Sequence, residues 1–222
     1  MHRPLSIELA DVRLIGDLLL PERALGLVVF VHGSGSSRLS PRNQQVARYL
    51  NEQRLATLLF DLLTGSEERI DRITCELRFD IPLLTQRLVG VLDWIAAEPE
   101  LSFLPVGLFG ASTGAAAAIL SAIERPERVK AIVSRGGRTD LAGGKVQLLN
   151  VPILQIVGAR DPLTLGLNRK VSQELACEQR LNVVPGATHL FEEPGTLQEV
   201  ARLAAQWFEQ HLHEPSQPGA GR

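Results

Sequence analysis

Ser112 lies in Gly110-Ala-Ser112-Thr-Gly114, between the apolar run Leu104–Phe109 and an alanine-rich segment. G-x-S-x-G between a strand and a helix makes a sharp turn that exposes the serine hydroxyl above the sheet. Gly110 and Gly114 would let strand and helix approach closely. The start of the helix would offer free N–H groups and partial positive charge to a developing oxyanion. A small-residue turn that only packs a helix onto a sheet is the competing reading. Asp161, in Gly158-Ala-Arg-Asp161-Pro162, follows the run Ile153–Val157. An acid there either orients a histidine or merely shapes a turn beside proline. His189, in Gly186-Ala-Thr-His189-Leu-Phe191, follows Leu181–Val184. Alone it is a loop histidine without a task. Together the residues run nucleophile, acid, histidine along the chain, each after a different apolar run, which is an order that builds a catalytic triad. Asp140 is a rival for the acid. His2, His211 and His213 lie near the termini, and His32 sits in a glycine-rich loop.

That loop, His32-Gly-Ser-Gly-Ser-Ser-Arg38, follows Leu27–Val31. It lacks the lysine of a P-loop and the spacing of G-x-G-x-x-G. The backbone N–H of Ser34 is the natural companion to that of Thr113 in an oxyanion hole. Arg38, Arg135, Arg138 and Arg160 also follow apolar runs, with Arg42 and Arg78 nearby. Arginine grips carboxylate or phosphate by forked hydrogen bonds, so Arg38, Arg135 and Arg138 are candidates to hold an anionic substrate. The other reading pairs these arginines with Asp61, Asp80, Glu67, Glu68 and Asp140 to build loops. No Cys, His or acidic cluster has metal-ligand spacing, so no metal and no cofactor is expected.

Several elements must position these residues. The runs Leu27–Val31, Ala56–Phe60, Leu104–Phe109, Val129–Val133, Ile153–Val157 and Leu181–Val184 mostly lack period-2 alternation, as strands buried on both faces do. Helical spacing recurs in Pro41–Arg54 (Val46, Ala47, Leu50, Leu55, with Ser40 as cap), in Ile81–Ala97, in Gly114–Ile123 and in Thr196–His211, with a cap expected at Thr196. Ile7–Ala10 and Val12–Leu20 read as a leading antiparallel pair. The alternation predicts an α/β fold with a mostly parallel, doubly wound sheet of about eight strands flanked by helices. Ligands then sit beyond the carboxyl ends of the strands. The segment 135–151 is short, hydrophilic and glycine-broken, so no large lid is expected, and no interfacial activation.

The 222 residues suit one domain, read as 1–213 with a flexible tail at 214–222. A net charge of -2 supplies no basic excess for nucleic acid. No apolar run reaches the roughly 20 residues a membrane span needs, and the N-terminus has no signal-peptide core. Two cysteines, Cys75 and Cys177, fit a reducing compartment, so a cytoplasmic protein is expected, monomeric or homodimeric, with a small-molecule partner.

The motifs at His32-Gly-Ser-Gly, Gly110-Ala-Ser-Thr-Gly114, Gly158-Ala-Arg-Asp161 and Gly186-Ala-Thr-His189 resemble the α/β-hydrolase superfamily, in its dienelactone-hydrolase-like branch, over nearly the whole chain. The resemblance implies a serine hydrolase of small carboxylic esters, lactones or thioesters, with Ser112, Asp161 and His189 as triad. Dienelactone hydrolases proper use a cysteine nucleophile, whereas here the elbow holds Ser112, which favours serine ester hydrolysis over dienelactone as substrate. Arg38-Leu-Ser-Pro-Arg-Asn43 and Ser134-Arg-Gly-Gly-Arg138 look like the group in which such a domain is also found fused to a phosphoribosyltransferase domain; no such partner domain is expected in this chain. An acyltransferase, a thioesterase, a non-catalytic binding member of the fold and a phosphate-binding protein are the alternatives.

Overall fold

A computed structural model describes residues 2–212. The tail expected at 214–222 lies outside the described residues. Eight strands form one sheet: β1 His2–Glu8, β2 Arg13–Leu19, β3 Gly26–Val31, β4 Leu55–Phe60, β5 Val106–Ala111, β6 Val129–Arg135, β7 Ile153–Gly158 and β8 Gln179–Val184. Their order is β1-β2-β4-β3-β5-β6-β7-β8. β1 pairs antiparallel with β2 and β2 antiparallel with β4, while all later pairs are parallel. β3, β4, β5 and β7 are buried at every residue, because helices cover both faces. β1 instead alternates and is largely open.

The helices are α1 Pro41–Glu52, α2 Gly65–Thr74, α3 Ile81–Ala97, α4 Gly114–Glu124, α5 Pro162–Glu174 and α6 Thr196–His211. One core layer packs α1 and α6 on the sheet through Val46, Leu50, Phe109, Trp207 and Phe208. The other packs α3, α4 and α5 through Leu88, Leu92, Ile119 and Val171. β3 connects through α1 to β4 on one side, yet its other neighbour is β5. The order therefore reverses between β3 and β5, and a crevice opens at their carboxyl ends. The glycine-rich loop and the Ser112 turn both emerge there.

Two expectations are corrected. The first strand is His2–Glu8, not Ile7–Ala10: residues 9–12 form the turn, closed by a hydrogen bond from Leu9 N–H to the Val12 carbonyl of 2.8 Å. α6 has Gly195, at φ 83°, as its N-cap, and Thr196 is already helical, its hydroxyl donating to the Glu193 carbonyl. α2 and α5 were not foreseen. Thr64 and Glu67 form a reciprocal capping box around the start of α2, a T-x-x-E signal present in the sequence. Arg87, buried in α3, reaches Glu67 (2.8 Å) and Asp11 (3.2 Å), and so ties α2 and the β1–β2 turn to the body. Between β6 and β7 there are only 3-10 turns over Thr139–Leu148, broken at Gly143, and no large lid stands over the crevice. Among the described residues, no helix is long and apolar enough to cross a membrane.

Asp80 caps α3 by accepting the Leu83 N–H at 3.0 Å. Asp80→Ala is expected to lower stability by about 1 kcal/mol, read as a lower urea midpoint at unchanged slope.

Candidate active site

The sharp turn after β5 is forced by packing. The Ser112 N–H donates to the Arg135 carbonyl (3.2 Å), and the Ser112 carbonyl accepts from Arg138 N–H (2.9 Å) and Ala115 N–H (3.1 Å). Held from both sides, Ser112 adopts φ 49°, a left-handed conformation costing an L-residue roughly 1–3 kcal/mol. Only glycine fits on either side. A Cβ on Gly110 would stand 2.6 Å from the Ala115 Cα, and one on Gly114 would collide with the Val31 carbonyl. Gly33 also passes close: its Cβ would lie 3.0 Å from the Ser112 Cβ. The loop after β3 thus rests directly on the Ser112 turn. The N–H groups of Ser34 and Thr113 make no hydrogen bond among the described residues.

His32 explains how that loop is held. Its Nε2 accepts the Leu62 N–H at 3.0 Å, and its Nδ1 lies 3.0 Å from the Gly33 carbonyl. That pairing assigns the neutral tautomer with the proton on Nδ1. Burial pulls the imidazole below its usual pKa, against the Gly33 carbonyl and the charges of Asp61 and Glu68. His32 is a brace between β3 and the loop after β4.

Asp161 and His189 meet across two loops. His189 Nδ1 stands 2.6 Å from Asp161 Oδ2, while Asp161 Oδ1 accepts the Thr164 N–H at 3.2 Å. One carboxylate therefore caps α5 and orients the imidazole. Burial would raise the Asp161 carboxyl, but the hydrogen bonds from His189 and Thr164 outweigh it and hold it below the usual aspartate value. The two loops are joined by Arg160 N–H to the Ala187 carbonyl (2.9 Å). The Thr188 N–H donates to Glu193 at 3.1 Å, fastening the histidine loop from its far side. Sequence reading missed Glu193, and no local signal marks it. Gly136, at φ 52°, lies beneath the ring: a Cβ there would be 3.4 Å from His189 Nδ1. Ser112 and His189 line one cleft of about 220 Å³, with Ser34, Ser36, Arg42 and Arg135. A second cleft, about 280 Å³, lies across the glycine-rich loop and is lined by His32, Asp61, Asp71 and Arg78 among others.

The rival acid Asp140 is taken by Arg138 in a two-point pair of 2.9 and 2.8 Å. Arg38 is held by Asp61 (2.6 Å) and Asp17 (3.0 Å), and Arg78 by buried Asp71 (2.6 Å). Arg38 and Arg138 thus follow the loop-building reading. Among the described residues Arg135 has no such partner.

No protein-family model matches the chain. A crystal structure of a dienelactone hydrolase from Anabaena variabilis superimposes with a TM-score of 0.94 at 50% identity, covering 96% of this chain and 99% of that one. The esterase domain of a Rhodothermus marinus protein shares the fold, with a TM-score of 0.75 at 19% identity, over 96% of this chain and 100% of that one. Proteins from two Mycobacterium tuberculosis strains, provisionally named phosphoribosyl transferases, are 52% identical over 208 residues. That match covers 94% of this chain and 46% of theirs, so the chain spans about half the length of these curated relatives.

The depressed His32 pKa makes stability sensitive to mild acid. The unfolded state takes up a proton as pH falls below about 6.5 while folded His32 resists it, so stability present above that pH is lost below it. His211, also lowered by burial, acts in the same sense. Urea unfolding from pH 7.5 to 5 should show this slope, and His32→Asn should flatten it.

Proposed function

The chain belongs to the dienelactone-hydrolase-like branch of the α/β-hydrolase superfamily, and on that premise we propose that it hydrolyses small carboxylic esters, lactones or thioesters through Ser112, His189 and Asp161. The single observation that carries this reading is the 2.6 Å hydrogen bond from His189 Nδ1 to Asp161 beside a cleft that also contains the strained Ser112.

In this mechanism the Ser112 hydroxyl adds to the ester carbonyl carbon. His189 Nε2 takes the hydroxyl proton as the C–O bond forms. Asp161, kept ionised, fixes the ring through Nδ1 and stabilises the imidazolium. The carbonyl oxygen, now an oxyanion, accepts from the N–H groups of Ser34 and Thr113. Each such donor is worth about 3 kcal/mol of barrier. The intermediate collapses, the bond to the leaving alcohol breaks, and His189 returns its proton to that alcohol. Water then repeats the sequence on the acyl-enzyme and regenerates Ser112.

Fluorophosphonate should label Ser112 in the wild type and leave Ser112→Ala unlabelled, as mapped by mass spectrometry. A folded wild type that does not label would sink the reading. On an activated aryl ester, Asp161→Asn should lose about 10³–10⁴-fold in kcat, because the ring tautomer is no longer held. Asp140→Asn should stay within a few-fold of wild type. The reverse order would move the acid to Asp140. Adding amine or thiol acceptors during turnover would distinguish hydrolysis from acyl transfer.

A further inference from the structure

Arg135 ends β6 and is only 8% exposed, yet it is paired with nothing among the described residues. Its Nε and Nη1 are buried without a hydrogen-bond partner, and no carboxylate lies within ion-pair distance among the described residues. Arg38, Arg78, Arg87 and Arg138 all have acids. Burial, with the like charge of Arg42 beside it, pushes the Arg135 guanidinium down to about 10, so it stays charged at neutral pH. An unpaired buried cation is among the costliest arrangements a fold can keep.

Its surroundings say what would relieve that cost. Arg135 lines the same cleft as Ser112 and His189, and its backbone carbonyl holds the Ser112 N–H. Arg42 lines it too, with Nε buried and unpartnered; only its Nη1 is engaged, at 3.0 Å from the well-exposed Glu192. Ser40, the N-cap of α1, is at the same wall, so the positive end of a twelve-residue helix adds to the field. The unmet donors are a guanidinium's, which match the flat or tetrahedral oxygens of an acid group.

We propose that Arg135, assisted by Arg42, is the docking point for an anionic oxygen group, a carboxylate or a phosphate, carried by the substrate next to the bond that Ser112 attacks. The site follows from the unpaired guanidinium alone; that its occupant is an ester rests on the hydrolase reading above. The cleft's size suits a short ester bearing the charge within a few bonds of the carbonyl. Arg135 would select substrates rather than take part in proton transfer.

The test measures binding apart from turnover. Ser112→Ala, with and without Arg135→Met, is titrated with inorganic phosphate and with malonate at constant ionic strength, chloride being the control. Thermal unfolding and calorimetry are the readouts. Without added anion, Arg135→Met should melt higher than its parent, because a buried charge is replaced by an apolar chain of similar length. Phosphate or malonate should stabilise the parent more than chloride does, and Arg135→Met should bind at least tenfold more weakly. Whichever anion binds tighter identifies the group. Should Arg135→Met not fold, Arg135→Lys keeps the charge without the fork and should still weaken binding severalfold. Stabilisation no greater than chloride's, or equal in parent and variants, overturns the proposal. With Ser112 restored, the kcat/KM ratio of a succinate half-ester to its methyl-capped analogue should fall tenfold or more in Arg135→Met or Arg135→Lys. An unchanged ratio with active enzyme overturns the anion site and leaves the hydrolase reading intact. Anion binding that depends on Arg135, in a wild type that cleaves no ester, overturns the hydrolase reading and leaves the site intact.

Discussion

The contact on which the site depends is the approach of α4 to the end of β3. At Gly114 the helix comes so near the Val31 carbonyl that no side-chain carbon fits, and Gly110 repeats the constraint against Ala115. With the helix that close, the chain between β5 and α4 has no room for a gradual turn. Ser112 absorbs the reversal in a left-handed conformation. The same closeness brings the loop after β3 onto the serine, so two segments distant in sequence meet at the Ser112 turn. Backbone strain at Ser112 is held in place by hydrogen bonds from the β6 side.

The pairing of Asp161 with His189 rests on a second constraint. Asp161 does two jobs with two oxygens: one caps α5, the other holds His189. The cap bond to Thr164 fixes the orientation of the carboxylate that holds the imidazole, and the bonds from Arg160 to Ala187 and from Thr188 to Glu193 tie the two loops. His32 makes the complementary point. It starts the glycine-rich loop that borders the Ser112 cleft, yet both its nitrogens are bonded to backbone, and it acts as a fastening. Position near a site does not assign chemistry; unused bonding capacity does.

Unused capacity is also what singles out Arg135. Arg38, Arg78, Arg87 and Arg138 are matched by acids, whereas Arg135 has no acid within ion-pair distance among the described residues. A buried guanidinium without an acid costs stability, and an anionic ligand would relieve that cost.

Much of this was legible in the residues. All six parallel-sheet strands could be found as apolar runs; β3, β4, β5 and β7 are buried throughout, which leaves no room for alternation, while β8 at the sheet edge is largely open. α1, α3, α4 and α6 showed through helical spacing of Val, Leu and Ala. Ser112, Asp161 and His189 could be picked out because each follows such a run, and strand ends are where this topology gathers polar groups. α2 and α5 were not seen: their exposed faces carry little apolar period, and their signals are short-range ones, Thr64 with Glu67 and Asp161 with Pro162. Which arginine is free could not be read from sequence at all. Arg38, Arg135 and Arg138 look alike along the chain, and their partners are up to 23 residues away or absent. Residue type and order determined the strands, the turn and the candidate chemistry, because local sterics and burial act on neighbours in the chain. Tertiary packing decided the strain at Ser112, the pairing of Asp161 with His189 and the isolation of Arg135, because these depend on distances between segments that only the folded sheet brings together.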